Sequence, residues 1–495
     1  MKAHEKGYER IMTLETKAKA RPLFDPPIVR RAIVDSLRKL DPRYMARNPV
    51  MFIVEVGATV TTFLFLQALV GQGEAPTGFI FAIAFWLWFT VIFANFAEAM
   101  AEGRGKAQAD TLRKAAAVKR QADHEVTIGV GGCWAQSVKD MVFEQFPFVD
   151  VAFGPGQVHK LAEFLTSDSI TAQGFFEFEG FTGDLPMRRA RDFQAWMQIS
   201  VGCNLKCSYC IVPSTRGREV SRAFDELVGE AERLVGEGVR EITLLGQNVN
   251  SYGRDIRGGR ERRPRSFAEL LHAIDATGIE RVRYTSPHPK DIREDVITAH
   301  AELRSLCEHI HLPLQSGSTP ILKAMRRTYT KERYLDRVAL IREHVPDVAL
   351  TTDVIVGFPG ETDEDFEHTL DVVEQVGYDG AFTFIYSPRR GTEAAEMSEH
   401  FVPHEIAVER MERLVEVVQR RAREQAQRFV GRTMDVLVEG SSRKDPMQLR
   451  GRSRHNKVVN FTGLGEPGET VQVEIEAATS QTLSGSESLL ARAAG

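Results

Sequence analysis

The chain has 495 residues, and at about 150 residues per domain this length predicts roughly three or four domains. Hydrophobic residues make up 43% of the chain and charged residues 26%, which excludes a largely disordered chain, a collagen-like fibre and a polytopic membrane protein as descriptions of the whole. The net charge of -5 provides no overall basic field for nucleic acid. Five cysteines are too few and too unevenly spaced for a disulfide scaffold, but three of them fall within eight residues.

Two apolar segments near the N-terminus, residues 49–70 and 79–96, predict a helical hairpin in a membrane. The first carries one charge, Glu55, the second carries none, and only residues 71–78 separate them. About 20 apolar residues are needed to cross a bilayer as a helix. Basic residues flank both outer sides and predict that both ends are cytoplasmic; they are Arg43, Arg47, Arg104, Lys106, Arg113 and Lys114. The alternative is a helical hairpin buried in a soluble core.

Further along the chain, apolar strand-like segments alternate with amphipathic helical segments. The predicted strands are residues 196–201, 241–245, 281–285, 309–314, 350–356 and 381–386, and helices are predicted over 224–235, 267–274 and 363–376. Strands separated by helices of these lengths favour parallel βαβ units, and six repeats indicate an open or partial barrel. Reactive ligands of such folds lie at the carboxyl ends of the strands.

A cysteine-rich loop follows the first predicted strand with the spacing C-x3-C-x2-C, formed by Cys203, Cys207 and Cys210. Three thiolates on one loop can hold three irons of a 4Fe-4S cluster, and the fourth iron then stays open to a small molecule. The alternatives are a zinc knuckle or three unrelated thiols. Zinc sites of this kind normally include a fourth Cys or His nearby, and none follows here.

Polar and glycine-rich turns follow the next four predicted strands, at the ligand-facing end of the barrel. Loop residues at this end of a scaffold favour a binding role over an ordinary turn, although a plain strand–helix turn is the alternative for residues 357–361. The candidate ligand-binding residues in these turns are Gln247, Asn248, Ser286, His288, Gln315, Ser316, Gly357, Pro359, Gly360 and Glu361.

The C-terminal part begins with a charged helix over residues 404–427 and continues over 428–490 as short strands with polar turns. This length and pattern predict a small five-stranded barrel. The segment is locally basic, which suits contacts with RNA phosphates; solubilising surface charge is the alternative. The candidate RNA-binding residues are Arg443, Lys444, Arg450, Arg452, Arg454 and Lys457.

The cysteine loop, with Tyr209 just before its last cysteine, resembles the signature of radical S-adenosylmethionine (SAM) enzymes. Over about residues 124–490 the chain resembles the MiaB-type tRNA methylthiotransferases, and its last segment resembles a TRAM domain, a small RNA-binding module. The segments that carry the resemblance are residues 203–222, 244–253, 284–289, 309–318, 354–362 and 384–392.

The resemblance implies that Cys203, Cys207 and Cys210 hold a 4Fe-4S cluster whose free iron binds SAM. Tyr209 and the turns after the strands would complete the cofactor site, and the turn at 357–361 would lie against SAM. The reaction implied is the addition of a methylthio group to carbon 2 of isopentenyladenosine beside the anticodon. The partners implied are tRNA and a reductant such as flavodoxin or ferredoxin, and the location is the cytoplasm.

The N-terminal domain departs from this family, whose members use three further cysteines there to bind a second 4Fe-4S cluster. Residues 128–136 match the turn around the third of these cysteines, which is Cys133, but no cysteine lies upstream. One cysteine cannot hold a cluster within a single chain, so methylthiolation would be impaired. Cys307 is expected to be a small core residue. The alternative function is a membrane-tethered fusion protein that binds RNA and cleaves SAM without completing methylthiolation.

Residues 20–117 resemble the first two membrane helices of the catalytic subunit of the potassium-transporting P-type ATPase. No aspartyl-phosphate motif of the DKTGT type follows, so ion pumping is excluded. The expected fold class is α/β, a partial (βα)6 radical SAM barrel with a C-terminal TRAM-like β-barrel and an N-terminal membrane hairpin. The expected domains are residues 1–117, 118–190, 191–427 and 428–495.

Overall fold

The structure is a computed structural model of the chain. It describes residues 33, 36, 38–40, 49–71, 75–105, 116–122, 126–155, 174–176, 189–256, 264–442 and 445–488. The chain forms two compact units, Met1–Ile128 and Gly129–Gly495, each of which is described by itself.

The first unit contains the two predicted apolar helices, α1 (Pro49–Leu69) and α2 (Thr77–Gly105). They pack side by side, because the rings of Phe65 and Phe81 lie 5.4 Å apart and the Trp88 indole N–H donates to the Thr62 hydroxyl at 2.9 Å. Both helices are long and apolar enough to cross a membrane, with mean hydropathies of 1.7 and 2.1 in their most apolar stretches. Most of their large apolar side chains face outward; examples are Phe63, Phe79, Trp86 and Phe93.

The second unit begins with a small parallel sheet in the order β1-β2-β3. Its strands are β1 (Gly129–Gly131), β2 (Val151–Phe153) and β3 (Gly174–Phe176), and the short helices α3 (Cys133–Val138) and α4 (Met141–Gln145) follow β1. Gly131 packs directly on the ring of Phe153, where a Cβ atom would lie only 2.2 Å from that ring. This region therefore has the strand–helix character that its sequence predicts.

The middle of the second unit alternates strands and helices. In chain order these are β4 (Gln194–Gln198), β5 (Ser200–Val201), α5 (Val212–Arg216), β6 (Val220–Ser221), α6 (Phe224–Gly236), β7 (Glu241–Leu245), α7 (Phe267–Asp275), β8 (Arg281–Tyr284), α8 (Glu294–Glu302), β9 (His309–His311), α9 (Thr319–Ala324), α10 (Lys331–His344), β10 (Ala349–Val356), α11 (Asp363–Val376), β11 (Gly380–Ile385), α12 (Glu393–Glu396) and α13 (His404–Gln427).

Six of these strands form the predicted partial barrel. Two parallel three-stranded sheets, β4-β7-β8 and β9-β10-β11, are joined by a parallel bridge between Val282 and Leu306. The strands therefore follow one another in chain order, with β4 and β11 at the two edges. The first strand ends earlier than predicted, at Gln198, because Ser200 and Val201 pair instead with β6 and bend the chain toward the cysteine loop.

The helices cover the outer face of this barrel. Met197, Ile242 and Leu244 alternate with residues that point the other way, and they pack with Leu227 and Leu271 from the covering helices in one apolar core. A second core lies behind β9, β10 and β11. Because only alternate residues of each strand enter these cores, the remaining ones face the inside of the barrel.

The C-terminal segment is the predicted five-stranded closed barrel, in the order β12-β13-β14-β16-β15. Its strands are β12 (Thr433–Ser441), β13 (Leu449–Ser453), β14 (Val458–Thr462), β15 (Thr470–Ala478) and β16 (Thr482–Glu487). The turn between β13 and β14 docks on the amino ends of the large barrel's strands. There the Arg283 guanidinium donates to the carbonyls of Ser453 and Arg454 at 2.8 and 2.9 Å.

Candidate iron–sulfur and substrate site

The cysteine loop leaves the barrel at a glycine that no other residue could replace without strain. Gly202 has φ of +79°, and a Cβ atom there would lie 2.2 Å from the carbonyl oxygen of Arg218. The Gly202 N–H donates to the Gln247 side-chain oxygen at 2.7 Å, and the Cys203 N–H donates to the Gly217 carbonyl at 3.2 Å. The loop is thus fixed from both sides at the carboxyl end of the first strand.

The three cysteines line one cavity of about 170 Å³ at this end of the barrel. The structure brings five of the predicted cofactor-binding residues to the same cavity: Tyr209, Gln247, Ser286, His288 and Gln315. Two residues that the sequence did not single out, Arg327 and Asp353, complete its polar lining.

Arg327 places a cation beside the cysteine loop. Its guanidinium lies 3.5 Å from the Cys207 sulfur and donates to the Tyr329 hydroxyl at 3.1 Å. Burial by itself opposes its charge, but the neighbouring Tyr329, Tyr209 and Cys207 raise the pKa of Arg327 above its usual value. Arg327 follows α9 without any recognisable motif, so no sequence signal could have identified it.

A bound metal would deprotonate the thiols of this loop, which would then bind it as thiolates. Burial raises the pKa of the Cys203 thiol to about 11, with smaller contributions from Cys207 and Cys210. Burial also raises the pKa of Cys210, whereas the charge of Arg327 lowers it. Iron–sulfur clusters bind thiolates, so the half-buried guanidinium of Arg327 would offset the negative charge that cluster binding brings.

In the described part of the chain, no three His, Cys, Asp or Glu side chains converge closely enough to hold a single metal ion. Each thiolate of a 4Fe-4S cluster binds a different iron atom. Three thiols that line one cavity, with a half-buried guanidinium beside them, fit such a cluster.

His288 and Ser286 project from the loop after β8 in a constrained conformation. Ser286 has φ of +56°, and Asn250 fixes the loop, since it accepts from the His288 N–H at 2.9 Å and donates to the His288 carbonyl at 3.1 Å. Burial, together with the charges of Arg327 and Lys290, lowers the pKa of His288 to about 2. His288 is therefore a neutral imidazole at the cavity wall throughout the physiological pH range.

Two other predicted residues lie behind the cavity rather than in its lining. The Asn248 side chain is buried and donates to the Asp291 carboxylate at 2.9 Å. Ser316 is fully buried and lies 3.4 Å from the Thr369 hydroxyl. Both contacts join loops to their neighbours, so they support the site from outside, and a direct role in cofactor binding stays a prediction.

The glycine-rich turn at 357–361 also lies outside the lining of the cysteine cavity. Glu361 accepts from the Gly357 N–H at 2.7 Å and from the Arg410 guanidinium at 2.8 Å, and the Gly360 N–H donates to the His400 carbonyl at 2.8 Å. Pro359 belongs to the same turn, which is thereby tied to α13. The predicted contact of this turn with SAM stays a prediction.

The turn nevertheless reaches the cysteine loop through a residue that the sequence did not single out. The ring of Phe358 lies edge-on to Tyr209, with centroids 6.4 Å apart, and edge-on to Tyr386, with centroids 5.4 Å apart. Phe358 is fully buried, so this turn packs against the residue that precedes Cys210.

Of the predicted RNA-binding residues, Arg443 and Lys444 lie outside the described residues. The other four are engaged with protein carboxylates near the junction of the two barrels. Arg450 and Arg452 pair with Glu439, Arg454 pairs with Glu308 at 2.8 Å, and the Lys457 ammonium lies 3.3 Å from Asp379. The contacts of Arg454 and Lys457 join the small barrel to the large one, whereas those of Arg450 and Arg452 lie within the small barrel. Contact of these four side chains with RNA stays a prediction.

A second, larger chamber of about 840 Å³ lies inside the barrel next to the cysteine cavity. Residues from all six strands line it, and the small barrel contributes residues of β13 and of the turn after it. Ser286 and Asp353 line both spaces, so the chamber adjoins the cysteine cavity.

The remaining two cysteines stand apart from this loop. Cys133 begins α3 and is half-buried. Cys307 is fully buried beside the barrel core, and burial raises the pKa of its thiol, as expected of a core residue.

Comparison with known proteins decides the family. Residues 197–373 match the radical SAM superfamily and residues 427–486 match the TRAM domain. The tRNA-2-methylthio-N(6)-dimethylallyladenosine synthase of Streptomyces coelicolor is 47% identical over 370 residues, which cover 72% of this chain and 72% of that protein. The chain belongs to this methylthiotransferase family.

Two further relatives with the same name support this assignment. The protein of Moorella thermoacetica is 45% identical, over 74% of this chain and 83% of its own length. The protein of Acidothermus cellulolyticus is 46% identical, over 74% of this chain and 74% of its own length. The predicted family, the radical SAM barrel and the TRAM domain are thus confirmed.

Proposed function

We propose that this chain transfers a methylthio group to carbon 2 of N6-dimethylallyladenosine beside the anticodon of tRNA. The observation that carries the proposal is the cavity lined by Cys203, Cys207 and Cys210, which adjoins a chamber large enough for a nucleobase. The names of the relatives supply the substrate. The enzyme would act in the cytoplasm.

Cys203, Cys207 and Cys210 would hold a 4Fe-4S cluster, with SAM on its open iron. When bound and reduced, this cluster supplies the electron that cleaves SAM to a 5′-deoxyadenosyl radical. The protein's own contribution is to fix the cysteine loop through Gln247 and to place the Arg327 cation beside the sulfurs. A flavodoxin- or ferredoxin-type protein would deliver the electron.

Reconstitution with iron and sulfide tests the cluster assignment. The wild-type protein should gain iron–sulfur absorbance and form 5′-deoxyadenosine from SAM under dithionite. The triple variant Cys203→Ala, Cys207→Ala, Cys210→Ala should lose both, and Cys307→Ala, which removes a buried cysteine outside the cavity, should keep both. SAM cleavage by the triple variant would refute the proposal.

A second candidate function is a membrane-associated protein that binds RNA and cleaves SAM without completing methylthiolation. It is favoured by one observation, that Cys133 is the sole cysteine before the radical SAM loop. Such a protein would form 5′-deoxyadenosine and leave the tRNA unchanged. The methylthiotransferase would also yield the 2-methylthio nucleoside, so analysis of the RNA product separates the two.

We further propose that α1 and α2 form a membrane hairpin related to the first two helices of the potassium pump, with both ends in the cytoplasm. The outward apolar side chains of both helices support a lipid environment, since a buried soluble hairpin would cover them. The hairpin would attach the enzyme to the membrane and would contribute nothing to catalysis.

A further inference from the structure

Three large aromatic side chains face the chamber from its two edge strands. Trp196 lies on β4, and Phe382 and Phe384 lie on β11. The chain neighbours of Trp196, Ala195 and Met197, belong to the core beneath the helices, and Ala381 and Ile385 beside the two phenylalanines pack against the second core. The aromatic side chains therefore occupy the inward positions of the first and last strands of the barrel.

These side chains are unusually exposed for their position. Trp196 is 58% exposed, Phe382 64% and Phe384 51%, although all three line a concave space. Apolar surface left open in a cavity indicates a binding site, because a ligand that covers it gains from the hydrophobic effect. The volume of about 840 Å³ falls within the range of roughly 300–1,000 Å³ that is usual for ligand pockets.

Cations line the floor of the chamber, and they contact carboxylates of the protein. Arg283 pairs with Glu241 at 2.9 Å, and Arg191, Arg450 and Arg452 share the single carboxylate of Glu439. The exposed aromatic side chains are the part of the chamber that suits a neutral, partly apolar group such as a nucleobase.

Polar partners for such a base lie on the middle strands. The His311 imidazole lies 3.3 Å from the Asp353 carboxylate and 3.0 Å from the Thr351 hydroxyl. Because Asp353 also lines the cysteine cavity, a base that reaches this pair lies beside the cavity where SAM would bind.

We propose that Trp196, Phe382 and Phe384 form an aromatic wall that selects an adenine carrying an apolar N6 substituent over an unsubstituted adenine. This inference rests on the proposed function and adds to it the residues that determine specificity. Aromatic rings stack on a nucleobase irrespective of its hydrogen-bonding edge, and they also cover an alkyl group. The wall therefore recognises the substituent, while the polar residues of the middle strands face the purine ring.

The test compares two anticodon stem-loop RNAs that differ only in the dimethylallyl group of the target adenosine. Wild-type full-length protein should bind the dimethylallylated RNA at least about tenfold more tightly, because even one methylene in an apolar pocket is worth roughly 10–200-fold. Trp196→Ala and Phe384→Asn should remove this preference by weakening binding of the dimethylallylated RNA alone. Trp196→Phe should retain most of the preference.

Phe401→Ala is the matched control, because Phe401 is a partly exposed aromatic residue outside the chamber lining. It should leave the preference unchanged. Iron–sulfur absorbance and RNA-independent SAM cleavage, measured for every variant, report whether the barrel is intact. Variants that keep both of these properties and also keep the wild-type preference would overturn the aromatic wall.

Failure of the inference and failure of the proposed function give different results. Wild-type protein that cleaves SAM but binds both RNAs equally would refute the aromatic wall and leave the radical SAM assignment intact. Wild-type protein that neither holds a cluster nor cleaves SAM would refute the proposed function, and a tenfold RNA preference in that protein would still support the wall.

Discussion

Arg327 places a positive charge beside the cysteine cavity. Its guanidinium lies 3.5 Å from the Cys207 sulfur and donates to the Tyr329 hydroxyl. Its neighbour Arg326 forms an ion pair with Glu393 in which both side chains are largely exposed. The two adjacent arginines therefore offer a matched comparison between a half-buried charge at the cavity and a surface charge.

Arg327→Ala should weaken cluster retention by about 10–100-fold, as loss of a group that supports metal ligands typically does. The reason is that the thiolates would lose the cation that offsets their charge. Arg327→Lys should recover part of the loss, since an ammonium restores the charge but not the planar contacts of a guanidinium. Iron content per chain after desalting measures the effect. Equal iron in Arg327→Ala and the control Arg326→Ala would contradict this role.

Gly202 tests whether the shape of the cysteine loop depends on one backbone position. Gly202→Ala should prevent loop closure, because its Cβ would collide with the Arg218 carbonyl in addition to the strain of positive φ. Gly238→Ala is the control: Gly238 has φ of +85°, but nothing lies within 4 Å of its added Cβ. It should cost only about 1–2 kcal/mol. Thermal unfolding and iron content distinguish the two variants, and equal effects would show that the collision is relieved.

At the scale of elements, the turn between β13 and β14 holds the small barrel against the large one. Arg454 in this turn donates to both oxygens of Glu308 at 2.8 Å. Burial alone would raise the pKa of Glu308, but the hydrogen bonds and charge of Arg454 outweigh it and keep the pKa below its usual value.

Glu308→Gln should lower the free energy of unfolding by about 1–3 kcal/mol at neutral pH, because Arg454 loses its partly buried, charged partner. A carboxylate with a depressed folded-state pKa stabilises the fold above its unfolded pKa of about 4.3 and ceases to do so as the pH falls through the folded value. The difference from wild type should thus be constant between about pH 5 and 7 and shrink below about pH 4. Urea unfolding across this range measures it, with the exposed Glu412→Gln as control. A difference that grows in acid would contradict the ion pair.

The periodicity of apolar residues identified most helices and strands of the barrel, because which face of an element is buried shows directly in the spacing of its apolar residues. The predicted helix at 363–376 begins and ends at the observed residues, since Thr362 and Asp365 form a capping box and Gly377 adopts a left-handed C-cap. The first strand was extended too far because apolar alternation does not reveal that Ser200 pairs with β6. Strand pairing depends on a partner distant in sequence, so periodicity alone could not locate it.

The sequence predicted the site only where a motif consists of the ligand-binding residues themselves. The spacing of the three cysteines located the cavity, whereas Arg327 and Phe358 reach it through contacts between distant segments. Local basicity drew attention to Arg454 and Lys457, but charge in the sequence does not reveal its partner, and both are paired with carboxylates of the large barrel. Contacts between segments that are distant in sequence therefore determine the partners of these residues, and the motifs do not reveal those contacts.

At the scale of the whole molecule, the proposed membrane hairpin would determine where the enzyme resides. If α1 and α2 lie in lipid, the full-length protein should sediment with membranes and resist extraction by carbonate. The double variant Phe85→Arg, Phe89→Arg places two charges near the middle of α2, each costing about 2.5–3.5 kcal/mol in a bilayer. It should therefore shift the protein out of the membrane fraction, whereas Phe85→Ala, Phe89→Ala should not. Wild-type protein found entirely in the soluble fraction would contradict the hairpin.

The central claim is that this chain is a tRNA methylthiotransferase that depends on its three-cysteine cavity, and nucleoside analysis of tRNA tests it most directly. The chain would be expressed in a bacterial strain that lacks its own enzyme of this family, and the tRNA nucleosides would be analysed by mass spectrometry. We predict 2-methylthio-N6-dimethylallyladenosine in cells with the wild-type chain, in an amount reduced by the absence of two upstream cysteines, and none with the triple cysteine variant. Unmodified N6-dimethylallyladenosine in cells whose protein holds its cluster and cleaves SAM would contradict the claim.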